Sequence, residues 1–188
     1  MYIKYPKTEK EKVDTQARCA TQNIDFEFVL DSSGSIGTHN WDTTVDMISR
    51  AWMDAIQPVF RRFGNHVAAR WFSTNTDLFL GFQDFRYYSK EYSHFNYSEF
   101  VSLVIKEQSY YGGGTDTAQA LTEVYESDLP TSRLLGTNQT IVLLFTDGKS
   151  NDYDETVSAA DTLKNVSTIF TIGIGYKLNI TELNAARF

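Results

Sequence analysis

Short apolar runs alternate along the chain with segments whose apolar residues recur at helical spacing. The runs predict strands, because a few continuous apolar residues between turn signals are typical of a strand inside a sheet. They lie at Ile24–Leu30, His66–Phe72, Thr76–Phe82, Thr140–Phe145 and Thr168–Ile174. The continuous run at Thr140–Phe145 predicts a central strand that is covered on both faces.

The segments between these runs predict helices. The first carries one apolar stripe, which is formed by Trp41, Val45, Ile48, Trp52 and Ile56. Further helices are predicted at Ser98–Lys106, Asp116–Glu126, Asp154–Lys164 and Ile180–Ala186. Strands that alternate with helices imply an α/β fold, with a doubly wound, mostly parallel central sheet flanked by helices.

Composition sets the scale of the domain. The chain has 188 residues, of which 41% are hydrophobic and 22% charged, as expected for one globular domain with a full core. Residues 1–22 are polar and predict a leader or linker, so the domain occupies residues 23–188. The net charge of −7 without a basic cluster argues against nucleic acid or an anionic membrane as partner. No stretch approaches the roughly 20 apolar residues of a membrane span.

Oxygen-bearing side chains follow two of the predicted strands and one glycine-rich turn. Asp31, Ser33 and Ser35 come directly after the first strand, Asp147 follows Phe145, and Thr115 ends the turn Gly112–Gly114. Ligands of doubly wound sheets bind beyond the carboxyl ends of the strands, so we expect these side chains to converge there. Carboxylate and hydroxyl oxygens without sulfur or imidazole suit a hard cation such as Mg²⁺. The alternative is that these residues only cap helices and turns.

The same residues carry a family resemblance. The sequence Asp31-Ser32-Ser33-Gly34-Ser35, with Thr115 and Asp147, resembles the metal-ion-dependent adhesion site DxSxS…T…D of von Willebrand factor A domains, also called integrin I-type domains. The flanking sequences FVLDSSGSIG, GGGTDTAQAL and LLFTDGKSND agree with that family. The resemblance covers about residues 24–188.

The resemblance implies a metal site formed by Asp31, Ser33, Ser35, Thr115 and Asp147. Ser33 and Ser35 would bind Mg²⁺, or Mn²⁺ or Ca²⁺ in its place, while Asp31 and Asp147 would hold metal-bound waters. Thr115 would coordinate in the ligand-bound form. With no anionic protein oxygen on the metal, the cation keeps most of its charge and attracts an outside carboxylate. The implied function is a non-catalytic adhesion or matrix module that binds an Asp or Glu of a protein ligand, with neighbouring domains or other subunits as further partners.

Three features depart from the family pattern or extend it. A last strand and a C-terminal helix are expected after Phe188, so the chain is predicted to be a C-terminally incomplete domain. Between Gly175 and Ile180 there is no room for the extra helix of collagen-binding integrin domains, so that mode of collagen recognition is not supported. Cys19 lies where extracellular members carry a cysteine paired to one beyond the final helix; from composition alone it is a free thiol or half of a disulfide.

Four N-x-Ser/Thr sequons favour an extracellular glycoprotein, secreted or part of an ectodomain. Their acceptor residues are Asn96, Asn138, Asn165 and Asn179. An intracellular scaffold module is the alternative, and a reduced Cys19 with unmodified sequons would favour it.

A Mg²⁺-dependent phosphoryl-transfer enzyme is a further alternative. Such a site needs a second acid two residues after Asp31, where Ser33 stands, and neither a P-loop nor a complete dinucleotide-binding motif occurs. The histidines, His39, His66 and His94, lie outside the strand-end motifs. The aromatic stretch Phe82–Tyr111 is either core packing or a ligand platform.

Overall fold

The structure, a computed structural model, describes residues 24–51, 67–80, 110–130 and 139–187. Five strands form its sheet: β1 (Ile24–Asp31), β2 (Val67–Phe72), β3 (Thr76–Leu80), β4 (Gln139–Thr146) and β5 (Thr168–Gly173). The helices are α1 (Gly37–Ala51), α2 (Thr117–Glu123), α3 (Tyr153–Lys164) and α4 (Ile180–Ala186). A π-helical segment, Val124–Asp128, directly continues α2. None of the helices in these ranges is long and apolar enough to cross a membrane.

The strand order is β3-β2-β1-β4-β5, with β1 at the centre. Strand β1 runs parallel to β2 and β4, and β4 runs parallel to β5, whereas β3 is antiparallel to β2. The mostly parallel α/β sheet with flanking helices is therefore confirmed. The parallel strands end together at one edge, which is where the candidate site lies.

The sheet is covered on both faces because successive strand residues point to opposite sides. One face packs Phe28 and Leu30 of β1 against Trp41 and Ile48 of α1. The other face packs a second apolar set against α2, α3 and α4; it includes Val29, Phe72, Leu121, Val142, Leu144, Leu163 and Ala186. Each fully buried side chain of this size contributes roughly 1.5–3 kcal/mol to stability.

Most predicted elements recur with shifted ends. Helix α1 begins at Gly37, four residues before Trp41, the first residue of its predicted apolar stripe. Gly37 adopts a left-handed φ of +73°, which lets the chain turn into the helix. The helix predicted at Asp116–Glu126 changes to π-helical geometry from Val124 to Asp128. Strand β5 lies outermost among the described strands, which leaves Phe170 41% exposed.

Several sequence-based predictions lie outside the described residues. They concern the leader at residues 1–22, Cys19, the helix at residues 98–106, His66, His94, Asn96, Asn138 and the aromatic stretch up to residue 109.

Candidate metal centre

Strand β1 ends in the first loop of the site. Asp31 is its last residue and is buried, and both of its carboxylate oxygens accept hydrogen bonds. Oδ1 accepts from the backbone N–H of Ser33 at 2.8 Å, and Oδ2 accepts from Thr146 Oγ1 at 2.7 Å. These bonds fix the orientation of the carboxylate and tie the ends of β1 and β4 together.

Two serine hydroxyls connect this loop to the loop after β4. Ser33 Oγ lies 3.1 Å from Ser35 Oγ, and Ser35 Oγ donates to Asp147 Oδ1 at 3.2 Å. The second bond joins residues 112 positions apart in the sequence. The fold therefore brings Asp31, Ser33, Ser35 and Asp147 together, as the sequence predicted.

The glycine turn brings Thr115 to the same edge of the sheet. Gly112 N donates to Ser32 O at 2.9 Å, and Gly34 N donates to Gly113 O at 3.0 Å. Gly113 has a φ of +84°, and a Cβ there would lie 2.7 Å from the hydroxyl of Thr74, so a larger residue would not fit.

Asn151 holds Thr115 through two hydrogen bonds. Its Oδ1 accepts from Thr115 N at 2.9 Å, and its own N–H donates to Thr115 O at 2.8 Å. The described contacts thus anchor the Thr115 backbone beside the site and do not join its hydroxyl to the other four predicted residues.

A lysine side chain contacts the carboxylate that ends β4. Lys149 Nζ lies 2.5 Å from Asp147 Oδ2, and Lys149 N donates to Asp147 Oδ1 at 3.2 Å. Gly148 permits the turn between them: its φ is +75°, and a Cβ there would lie 2.8 Å from Asn179 O. The positive group of Lys149 therefore already contacts the Asp147 carboxylate.

Burial controls the charge of the site. Burial raises the pKa of Asp31 to about 6, and the nearby Asp147 carboxylate also raises it. The hydrogen bonds from Ser33 and Thr146 lower this pKa and so oppose the effect of burial. Burial also raises the pKa of Glu182, whose Oε1 accepts from Ser150 N. Two buried acids at one edge carry a desolvation cost that a bound cation offsets.

The site opens to solvent on one side. Asp31, Ser33, Thr115 and Asp147 are each at most 4% exposed, whereas Ser35 is exposed. The donors are hydroxyl and carboxylate oxygens, with neither sulfur nor imidazole, so the residues present fit a hard divalent cation.

Sequence reasoning missed the residues that position the site. Thr146 supports Asp31, Asn151 supports Thr115, and Tyr110 OH donates to Ser33 O at 3.1 Å. Thr146 and Asn151 stand directly beside the predicted loop, so their positions were a usable signal. Tyr110 is one of many aromatic residues in its stretch, and nothing in the sequence marked it as a residue of the site. His39 is exposed on α1.

Comparison with known proteins identifies the family of the chain. The sequence profile of the von Willebrand factor type A domain matches residues 25–185, so the chain belongs to that family. It is 26% identical over 175 residues to the collagen alpha-1(XXI) chain of Xenopus laevis, covering 93% of this chain and 17% of that protein. It is 25% identical over 167 residues to human vitrin, covering 85% of this chain and 21% of vitrin. The chain thus spans about a fifth of the length of these relatives, which are extracellular matrix proteins.

Solved structures share the fold. The manganese-loaded TRAP protein of Plasmodium vivax has a TM-score of 0.67 at 23% identity, over 89% of this chain and 63% of TRAP. Proximal thread matrix protein 1 from the mussel byssus, with a zinc-occupied MIDAS motif, has a TM-score of 0.67 at 22% identity, over 89% of this chain and 42% of that protein. MIDAS abbreviates the metal-ion-dependent adhesion site. At these identities the likeness shows the fold alone.

Proposed function

We propose that the chain is an extracellular adhesion or matrix module that binds a protein ligand through a divalent cation. The observation that carries the proposal is the hydrogen-bonded convergence of Asp31, Ser33, Ser35 and Asp147 at the sheet edge, where Ser35 is exposed to solvent. The manganese and zinc in the solved relatives support a divalent cation. Mg²⁺ is the proposed ion, with Mn²⁺ or Ca²⁺ as alternatives, because the donors are hard oxygens.

Each site residue has a proposed role. The ion is bound directly by the hydroxyls of Ser33, Ser35 and Thr115. The carboxylates of Asp31 and Asp147 do not touch the ion and instead hold metal-bound water. The contacts of Asp31 support this division, because both of its oxygens already accept hydrogen bonds from Ser33 and Thr146. When bound, the ion supplies a positive charge at the open side of the site.

The proposed ligand is an Asp or Glu side chain of a partner protein. A carboxylate is the group that such an ion attracts most strongly when its own protein ligands are mainly neutral. Neighbouring domains or other subunits of a matrix assembly are further proposed partners. The proposal contains no catalytic step: the hydroxyls of Ser33 and Ser35 are bonded to each other and to Asp147, an arrangement that gathers oxygens suited to a cation.

The proposed location is extracellular. The matrix relatives support it, and so do the sequons, of which Asn165 is exposed at the end of α3. A glycan on that residue would confirm passage through the secretory pathway.

Selection from a random displayed-peptide library tests the proposed function without a known partner. Peptides are bound in Mg²⁺ and eluted with EDTA, using the wild-type chain and a matched Ser33→Ala/Ser35→Ala variant. We expect the wild type to recover peptides that share an Asp or Glu. Changing that residue to Asn or Gln should abolish binding.

The double variant controls for binding elsewhere on the surface and should recover no such peptides. Peptides that lack an acidic residue, or that stay bound in EDTA, would contradict the proposal.

A further inference from the structure

The central strand carries a second, fully buried carboxylate far from its metal-binding end. Glu27 lies in the middle of β1 and is 0% exposed. Neither of its carboxylate oxygens has a hydrogen-bond partner in the described part of the chain. Its neighbours in the sheet are Ala68 on β2 and Val142 on β4. An acid in such apolar surroundings needs a specific compensation.

A buried ion pair lies beside Glu27. Arg70 on β2 donates from Nε to Asp128 Oδ2 at 3.1 Å and from Nη2 to Asp128 Oδ1 at 3.0 Å. Both residues are 2% exposed. Asp128 is the last residue of the π-helical segment, so the end of that segment is fixed against the sheet by this pair.

The charges of this cluster do not balance when every acid is ionised. Arg70 is the cation, and it is engaged by Asp128, with Glu123 of α2 a further 3.9 Å contact. From β1, Asp25 is also 0% exposed. Other buried side chains on this face are apolar or neutral: they include Val29, Leu121, Val124, Leu129, Thr140 and Val142. An ionised Glu27 would therefore be a buried negative charge without a partner, which is strongly destabilising.

A metal ion does not resolve the excess charge. No group of three or more acidic, histidine or cysteine side chains within residues 24–51, 67–80, 110–130 and 139–187 is arranged to hold one. A proton on Glu27 removes the unpartnered charge of that residue, because a protonated carboxyl is neutral and becomes a hydrogen-bond donor.

We propose that Glu27, Asp128 and Arg70 form a proton-binding site: the folded domain holds one proton on Glu27, which donates it towards Asp128 while Arg70 neutralises Asp128. The direction of the pKa shifts supports this arrangement. Burial, and after it the Asp128 carboxylate, raise the pKa of Glu27 well above 4.5, against the opposing effect of Arg70. Burial raises the pKa of Asp128 as well, but Arg70 lowers it, so the proton belongs on Glu27.

The site couples folding to proton uptake. In the unfolded chain Glu27 loses its proton near its ordinary value of 4.5, whereas in the folded domain it keeps the proton to higher pH. The stabilising contribution of protonated Glu27 is therefore complete below that value and is lost as pH rises towards the raised pKa of the folded state. Relative to a residue that does not titrate, Glu27 makes the domain progressively less stable over this range, by up to about tenfold in the unfolding equilibrium constant per pH unit.

Urea unfolding of wild type and Glu27→Gln in EDTA, between about pH 5 and about pH 8, tests the proposal. Gln has the shape of the protonated acid and does not titrate. We expect similar midpoints for the two proteins at the acidic end and a gap that widens with pH, with Glu27→Gln the more stable. Other titrating groups, Asp31 and Glu182 included, are common to both proteins and cancel in the difference.

Glu126→Gln is the matched control, because Glu126 lies two residues before Asp128 but is exposed. The difference in urea midpoint between Glu126→Gln and wild type should not change with pH. Parallel curves for wild type and Glu27→Gln would overturn the proposal.

A second measurement covers the case in which Glu27→Gln does not fold. The infrared band of a protonated carboxylic acid is expected in the wild-type protein at neutral pH, and it should be absent from Glu27→Leu, in which an apolar side chain fills the same space. A wild-type spectrum without that band would overturn the proposal independently of stability.

Discussion

The hydroxyl of Thr146 donates a 2.7 Å hydrogen bond to Oδ2 of Asp31 and so joins the ends of the two central strands. The same hydroxyl accepts from Gly148 N at 3.1 Å. One side chain thereby sets both the orientation of Asp31 and the start of the loop that carries Asp147. Both loops of the proposed metal site depend on it.

Thr146→Val should destabilise the domain and weaken its affinity for Mg²⁺. Val keeps the shape of Thr but leaves a buried Asp31 oxygen and the Gly148 N–H without their partner, which costs about 1–3 kcal/mol. The lost hydrogen bond also raises the pKa of Asp31 further, since that bond lowers it now. Urea unfolding and metal titration measure the two effects. Thr146→Ser retains the hydroxyl and should bind the metal normally; equal affinities for the two variants would contradict the assignment.

Lys149→Met should raise the affinity for the divalent cation. The Lys149 ammonium contacts Asp147 Oδ2, so a cation must compete with it for that carboxylate. The Lys149 side chain is 43% exposed, so the expected gain is modest, about 1 kcal/mol or roughly fivefold. Lys177→Met removes the same charge from the exposed loop after β5 and is the matched control in calorimetric titration with Mn²⁺. An unchanged or lower affinity in Lys149→Met would show that the ion pair does not compete with the metal.

Asn151→Ala should weaken capture of acidic peptides more than it weakens the fold. The Asn151 side chain accepts a hydrogen bond from Thr115 N, which Ala cannot replace, whereas the bond from the Asn151 backbone N–H to Thr115 O remains. Thr115 is the proposed ligand that joins when a partner binds. The loss is expected in the Mg²⁺-dependent peptide selection and in the affinity of a recovered peptide. Asn165→Ala changes an asparagine at the far end of α3 and should bind that peptide like wild type. Equal peptide affinity in wild type, Asn151→Ala and Asn165→Ala would contradict the proposed role of Thr115 in peptide binding.

Asn165 should carry a glycan in the native protein, and Asn179 should not. Asn165 is exposed, and its amide makes one hydrogen bond, to Asp161 O. Asn179 instead caps α4, with its Oδ1 accepting from Glu182 N and its amide donating to Glu182 Oε2. A glycan there would replace one hydrogen of the amide that donates to Glu182 and would have to fit beside the loop that carries Asp147. Mass spectrometry of the native protein tests both expectations. Absence of a glycan from both Asn165 and Asn179 would count against the extracellular assignment.

Periodicity alone was enough to predict the sheet. The apolar run Thr140–Phe145 lies inside the sheet, as expected for a parallel strand buried on both faces, and it pairs with the Ile24–Leu30 strand, in which Asp25 and Glu27 are buried as well. The convergence of the strand-end oxygens follows from the same rule, since the strands that carry them are parallel and end together.

The supporting contacts could not be predicted from the sequence. The hydrogen bond from Thr146 to Asp31 depends on the register between β1 and β4, which no local pattern encodes. Asp31 was predicted to follow the first strand; it is instead the last residue of β1, 3% exposed and doubly hydrogen-bonded. The pairing of Arg70 with Asp128 is equally non-local, since 58 positions separate them in the chain.

Calorimetric titration of the metal-free chain with Mn²⁺, with wild type and Ser33→Ala/Ser35→Ala side by side, tests the central claim most directly. The account predicts one binding site per chain in the wild type and loss of that site in the variant. Ser35 is exposed and its loss removes little packing, and circular dichroism should show that the variant remains folded. A folded wild type that binds no divalent cation, or a variant that binds as tightly as wild type, would contradict the account.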